Sequence, residues 1–227
     1  VEGKDLFVED DNVYMKTVKG PLKVDCIYRR LDDNFLDPKV FNKESVIGVP
    51  GLFKCWRKGN VGILNAIGTG IADDKVVYSY VNKMIVYYLG EQPILNQVET
   101  YLCNDENQKK YVIENISKLV VKPANASGGY GIMIGPKAGK EEREEVIRKI
   151  KNNPREFIAQ PLETLSTAPT ITKNDIEPRH LDLRPFVLSG KSTYVTTGGL
   201  TRVALRKGST IVNSSQGGGS KDTLIVE

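Results

Sequence analysis

The chain has 227 residues, 40% hydrophobic and 26% charged, enough apolar chain for one or two domains with a sizeable core. Its 32 basic and 28 acidic residues leave a charge of +4, too mild for a nucleic-acid-binding face but suited to a local anionic pocket. A lone histidine, His180, excludes a zinc site built on several histidines, and three scattered cysteines (Cys26, Cys55, Cys103) imply no disulfide framework. The expected compartment is therefore a reducing cytoplasm. Val1 to Asp11 is polar and acidic, so no signal peptide is expected, and no apolar run approaches the ~18 residues of a membrane span. A first residue other than Met predicts a piece of a longer protein.

Leu6–Val8 and Val13–Met15 flank Asp10, Asp11 and Asn12, and predict a hairpin with a polar turn. Val24–Tyr28 reads as a short strand, followed by Arg29, Arg30 and an acidic loop through Asp32, Asp33 and Asp37. Gly48–Gly51 is a turn, Val61–Leu64 a buried strand, and Gly68–Gly70 a loop. Asp73 and Asp74 precede apolar positions at helical spacing (Val76, Val77, Tyr80, Val81, Met84, Ile85), which predicts a helix over Lys75–Leu89. Glu106–Asn115 is a second helix and Glu141–Ile150 the clearest one, with Val146 and Ile150 inward. Strands are expected at Leu119–Lys122, Gly131–Ile134, Phe157–Gln160, Leu181–Leu188, Tyr194–Thr197, Leu200–Leu205 and Ser209–Val212. Pro169–Pro178 reads as a loop, and the Ser/Gly-rich Asn213–Asp222 as a functional loop or a flexible linker. The fold class is α+β, with an α/β front portion.

The chemistry concentrates in the second half. Lys122 ends an apolar strand, where a compact cation can meet a phosphate. Five residues on, Ser127, Gly128, Gly129, Tyr130 and Gly131 form a turn between strands, and glycines let backbone N–H groups approach phosphate oxygens. No Walker loop is present, and a strand rather than a helix follows, so this is not a dinucleotide fingerprint. Alone, the pair reads equally as a surface lysine beside a hairpin turn. Gln160 and the backbone near Ala159 can read a base edge or end a buried strand. Asp182 and Arg184 share one strand face, with Arg202 and Arg206 downstream. Such a set suits phosphoryl transfer, or a salt-bridged sheet surface. Asn213 offers an amide oxygen to magnesium, and Lys221 a cation to phosphate or carboxylate; either can also be a solvated loop residue. His180 is a candidate acid or base, though a hydrogen-bonded structural role fits better.

These motifs resemble one family. Leu119–Pro123 with Ser127–Gly131, Ile158–Pro161, Arg179–Val187, Gly198–Ala204 and Val212–Thr223 are similar to the circularly permuted type 2 ATP-grasp proteins, described as glutathionylspermidine synthase-like. Val24–Asp33, Gly48–Gly51 and Gly68–Lys75 extend the resemblance over nearly the whole chain.

The resemblance implies a glutathione synthetase-like ATP-grasp fold behind an incomplete pre-ATP-grasp portion. The implied boundaries are 1–72 and 73–227, with subdomains at about 116–163 and 164–227. It implies ATP-dependent joining of a small-molecule or peptide carboxylate to an amine through an acyl phosphate, with no nucleic acid or membrane as partner. ATP would meet Lys122, the Ser127–Gly131 turn, Lys75, Gln160 and Lys221. Asp182 and Asn213 would hold Mg2+, and Arg184 and Arg202 would stabilise developing charge. One departure is Ile211, where many ATP-grasp enzymes carry a glutamate two residues before the metal-binding asparagine. It leaves open a non-catalytic ATP-binding or scaffold protein on the same fold.

Overall fold

The computed structural model describes residues 1–125, 130–172, 175–210, 212 and 218–223, and divides into two units, Val1–Met84 and Ile85–Glu227. Helix and antiparallel sheet occur in both, so the α+β class holds.

The first unit opens with an antiparallel meander of β1 (Leu6–Glu9), β2 (Asn12–Thr17) and β3 (Gly20–Val24). Glu9 pairs with Asn12, so the turn is Asp10–Asp11, and both adopt positive φ (46° and 59°). That is the mirror-image two-residue turn whose twist matches a hairpin, and aspartate tolerates it. The Asp11 carboxylate then meets Lys54, at 2.7 Å, and Lys58. The two ammonium groups hold its pKa below the usual carboxylate range. The strand expected over Val24–Tyr28 breaks at Asp25. Beyond it, β4 (Cys26–Tyr28) pairs parallel with β5 (Gly62–Leu64).

Short helices α1 (Asp33–Leu36) and α2 (Leu52–Arg57) lie between those strands in sequence. Asp37 joins them. It is fully buried, and its carboxylate accepts from the backbone N–H groups of Lys39 (2.9 Å), Gly51 (3.0 Å) and Phe53 (3.0 Å). A buried acceptor with three donors fixes both the loop and the first turn of α2. Arg29 does the converse with donors. Its buried guanidinium donates to the carbonyls of Asn65 (2.5 Å), Leu31 (2.6 Å) and Ala66 (2.8 Å). It also sits 2.6 Å from the Asp33 carboxylate, off the line of a hydrogen bond. The core gathers Val13, Leu36, Val49, Leu52, Cys55, Val61 and Ile63.

The long helix expected over Lys75–Leu89 is not continuous. One-turn helices α3 (Lys75–Tyr78) and α4 (Val81–Met84) are followed by a wide turn at Ile85–Leu89. β-branched and aromatic residues fill this stretch, and both classes lose side-chain freedom in a helix.

In the second unit, β6 (Tyr101–Leu102), β7 (Leu119–Pro123), β8 (Met133–Ile134) and β9 (Phe157–Pro161) form an antiparallel sheet ordered β6-β9-β7-β8. Helices α5 (Glu106–Glu114) and α6 (Lys140–Asn152) supply its core partners. Asp105 caps α5 through the N–H of Gln108, at 2.9 Å. Ile150 of α6 is fully buried with Val112, Leu119, Val121, Met133 and Ala159. Gly135 follows β8. Its N–H donates to Leu119 O (2.8 Å), and its carbonyl accepts two bonds from Arg143 (3.1 and 2.9 Å).

A second sheet, ordered β10-β11-β12-β13, follows: β10 (Thr167–Ile171), β11 (Ile176–Ser189), β12 (Thr193–Ala204) and β13 (Gly218–Lys221). The loop expected over Pro169–Pro178 is therefore a hairpin, with Pro169 opposite Pro178. Thr172 N donates to Asp175 O and Leu181 N to Ser166 O. Alternation along the ladder puts the two prolines at a non-hydrogen-bonded pair, where neither needs an N–H. No strand forms at Ser209, Thr210 or Val212, whereas Gly218–Lys221, read as loop, pairs with β12.

The thiols differ sharply. Cys26 is exposed, whereas Cys55 and Cys103 are fully buried. Burial pushes the Cys55 thiol up and the Cys103 thiol up to about 11. A maleimide at pH 7 is expected to label Cys26 within minutes and the other two only as the protein unfolds, since only thiolate reacts. Peptide mapping after a short pulse reads this directly, and early labelling of Cys103 would contradict its burial.

Candidate functional site

β7 carries three consecutive buried residues, Leu119, Val120 and Val121, before the half-buried Lys122. A run buried on both faces explains the lack of alternation in its sequence. Val120 pairs with Gln160, and Lys122 with Ile158. Residues two apart share a face, so Lys122 and Gln160 are diagonal neighbours on one side of the sheet. Lys122 Nζ donates to Gln160 Oε1 at 2.6 Å. Gln160 Nε2 donates to Thr100 Oγ1 at 2.9 Å, and Thr100 Oγ1 to Val98 O at 3.0 Å. Tyr101 pairs with Ala159, so Thr100 falls in line with Gln160. Thr100 escaped sequence reasoning because nothing local marks it. Only the pairing of β6 with β9 brings it to Gln160.

Lys122 leads into the Gly-rich turn. Of the turn's candidates, Ser127, Gly128 and Gly129 lie outside the described residues, as does Asn213. Tyr130 is exposed, and Gly131 has φ +71°. A side chain at Gly131 would also lie 2.9 Å from the Pro123 ring, so glycine is needed at this return point.

On the second sheet, Arg184 grips Asp182 through Nε (3.1 Å) and Nη2 (2.9 Å), both to Oδ2. The distance from Nε to Oδ1 is longer, at 3.4 Å. Asp182 pairs with Arg202, and Arg202 with Ser220, so these residues form one row across three strands. Lys221 opposes Thr201, in the next row and so on the other face. Its ammonium reaches the Pro169 carbonyl, at 2.5 Å. Pro169 and Lys221 sit on the two outer strands of the sheet. With strands ~4.8 Å apart, a lysine bridges them only if the sheet coils.

Lys75 belongs to the first unit, where it follows the Asp74 cap of α3. Burial lowers its pKa, and Asp74 and Asp73 oppose that shift. His180 Nδ1 lies 2.8 Å from Leu165 O, which fits a structural histidine. Arg206 is exposed. A cleft of about 530 Å³ in the first unit is lined by Asp10, Asp11, Asp37 and Lys54, but Asp37 and Asp11 are already bound by backbone and lysines. Among the described residues, no group of three or more His, Cys, Asp and Glu side chains is arranged to hold a metal ion, and no helix is long and apolar enough to cross a membrane.

A family model described as circularly permuted ATP-grasp type 2 matches residues 1–204. An uncharacterised protein of Synechocystis is 54% identical over all of this chain and 47% of its own length. A Frankia casuarinae protein named "Putative glutamate--cysteine ligase 2-2" is 47% identical over 99% of this chain and 26% of its own length. The chain thus spans less than half the length of these curated relatives. A Helicobacter pylori D-alanine-D-alanine ligase overlays 77% of this chain and 50% of its own, at TM-score 0.37 and 12% identity. The family assignment rests on the sequence match, not on this overlay.

Proposed function

The chain belongs to the circularly permuted ATP-grasp type 2 family, and from that premise we propose that it carries nucleotide-binding elements of an ATP-dependent ligase. The observation supporting this most directly is Lys122, half-buried near the end of β7 with its ammonium held by Gln160. A fixed cation of this kind suits a polyphosphate. Lys122, Ser127–Gly131, Lys75, Gln160 and Lys221 are the proposed ATP contacts. The boundary at 72/73 and the subdomains at about 116–163 and 164–227 belong to the same proposal, as does a cytoplasmic location.

The proposed chemistry has two steps. A carboxylate oxygen of a small molecule or peptide attacks the γ-phosphorus, and ADP leaves. The amine nitrogen then attacks the acyl phosphate carbon, phosphate leaves, and the amine loses a proton. Arg184 and Arg202 stabilise the developing negative charge. When bound, Mg2+ neutralises phosphate oxygens, and it commonly takes one or two protein oxygens beside phosphate and water. Asp182 would offer it Oδ1, since the Arg184 bonds fall mainly on Oδ2, and Asn213 is proposed as the second donor from its sequence position alone.

MgATP at about one hundred times its Kd is expected to stabilise the protein by about 2.7 kcal/mol, a clear rise in Tm. Lys122→Ala is expected to abolish that rise. An unchanged rise in the variant would sink the assignment. One observation supports a non-catalytic second reading: Ile211 in place of glutamate. The full-length protein decides between them. Magnesium-dependent ADP release with a carboxylate and an amine supports the ligase, and binding without release supports the alternative.

A further inference from the structure

We infer that Thr100 is a positioning residue that holds the Lys122 ammonium in place through the Gln160 side chain; this rests on the reading of Lys122 as a phosphate contact. The Val98 carbonyl can only accept, so the Thr100 hydroxyl proton is committed to it. The hydroxyl oxygen is left as an acceptor, and it faces Gln160 Nε2. At the other end, the ammonium can only donate, so it must face Oε1. Every bond in the series runs one way: Lys122 to Gln160, Gln160 to Thr100, Thr100 to Val98. Each donation polarises the next, so the set is stiffer than its members taken singly.

Gln160 is buried, which gives Thr100 its leverage. The ammonium alone selects which end of the amide it faces, but one contact leaves the amide free to swing about its last torsion. The bond to Thr100 pins the opposite end, and a buried amide N–H has no water to replace that acceptor. The pinned oxygen then helps fix where Nζ rests, near the end of β7. Without the pin, a nucleotide must order the lysine as it binds, and affinity falls. The role is thus orientation of a phosphate contact at one remove. Thr100 itself touches no nucleotide.

The test compares Thr100→Val, Thr100→Ser and Lys122→Ala in the intact protein, with MgATP and adenosine as separate calorimetric probes. Valine keeps the shape and removes the acceptor, whereas serine keeps the acceptor. We expect Thr100→Val to weaken MgATP about tenfold and adenosine much less, because only phosphates meet Lys122 whereas Gln160 is also a proposed ATP contact. Thr100→Ser is expected to remain within about twofold of wild type. Equal loss of adenosine and MgATP in Thr100→Val overturns the inference in favour of a role at the base. So does wild-type MgATP affinity in Thr100→Val. A failure of serine to rescue, with valine weakened, shows that the threonine methyl matters and overturns it too. If Lys122→Ala binds MgATP as wild type does, the phosphate reading itself falls, and this inference with it.

Discussion

Gly135→Ala is expected to destabilise the second unit by about 3 kcal/mol and to abolish the MgATP-induced rise in Tm. A methyl group there would lie 2.0 Å from the Ile116 carbonyl oxygen and 2.5 Å from that of Leu119. Both are backbone atoms, so no rotamer change relieves the overlap. The segment from α5 into β7 must move instead. Gly135 also holds that segment, through its N–H to Leu119 O, and its own carbonyl is gripped by Arg143 on α6. Lys122 lies three residues beyond Leu119 on the same short strand. Displacement at Gly135 therefore carries to the ammonium. Denaturant unfolding followed by circular dichroism gives the stability change, and a loss below about 1 kcal/mol would show that the loop yields easily.

Asp37→Ala is expected to cost about 3–5 kcal/mol in the first unit, because three partly buried N–H groups lose their acceptor at once and each orphan costs about 1–3 kcal/mol. Asp37→Asn keeps one oxygen and turns a donor toward the remaining N–H groups, so its cost is expected to fall between wild type and alanine. Trp56, the sole tryptophan, lies on α2, the helix whose first turn Asp37 ties down. Its fluorescence reports the local loss without any partner or ligand. An Asp37→Ala protein whose Trp56 signal unfolds at the wild-type denaturant concentration would refute the capping role.

Local chemistry made some of this fold readable. The β1–β2 hairpin follows from an Asp10–Asp11 turn between apolar runs, and α5 and α6 from charged helices with clear starts. Other parts depend on partners distant in sequence. Lys75–Leu89 has helical spacing but residues that resist helix, and it forms separate turns. Pro169 and Pro178 look like loop residues until they are seen to oppose each other where a ladder needs no donor. Gly218–Lys221 has almost no strand propensity, yet β12 offers it a backbone edge. The glycine at 219 leaves space that the Leu205 side chain occupies to 3.0 Å of a would-be Cβ. At the candidate site, Lys122 and the Asp182/Arg184 pair were legible by strand position and spacing. The bond from Lys122 to Gln160 was not, since it arises from the register of β7 against β9.

The Lys221 bridge has a consequence for self-association. A strand at the margin of a sheet is a template on which another chain can add, through unpaired N–H and carbonyl groups. On β10, Pro169 has no N–H to offer, and its outward carbonyl is already taken by Lys221. The bridge is made from the opposite margin, so one ammonium blunts the place where a stray strand could dock and plants a charge there. Crowded chains of this protein thus meet a blocked position at Pro169, in the middle of β10.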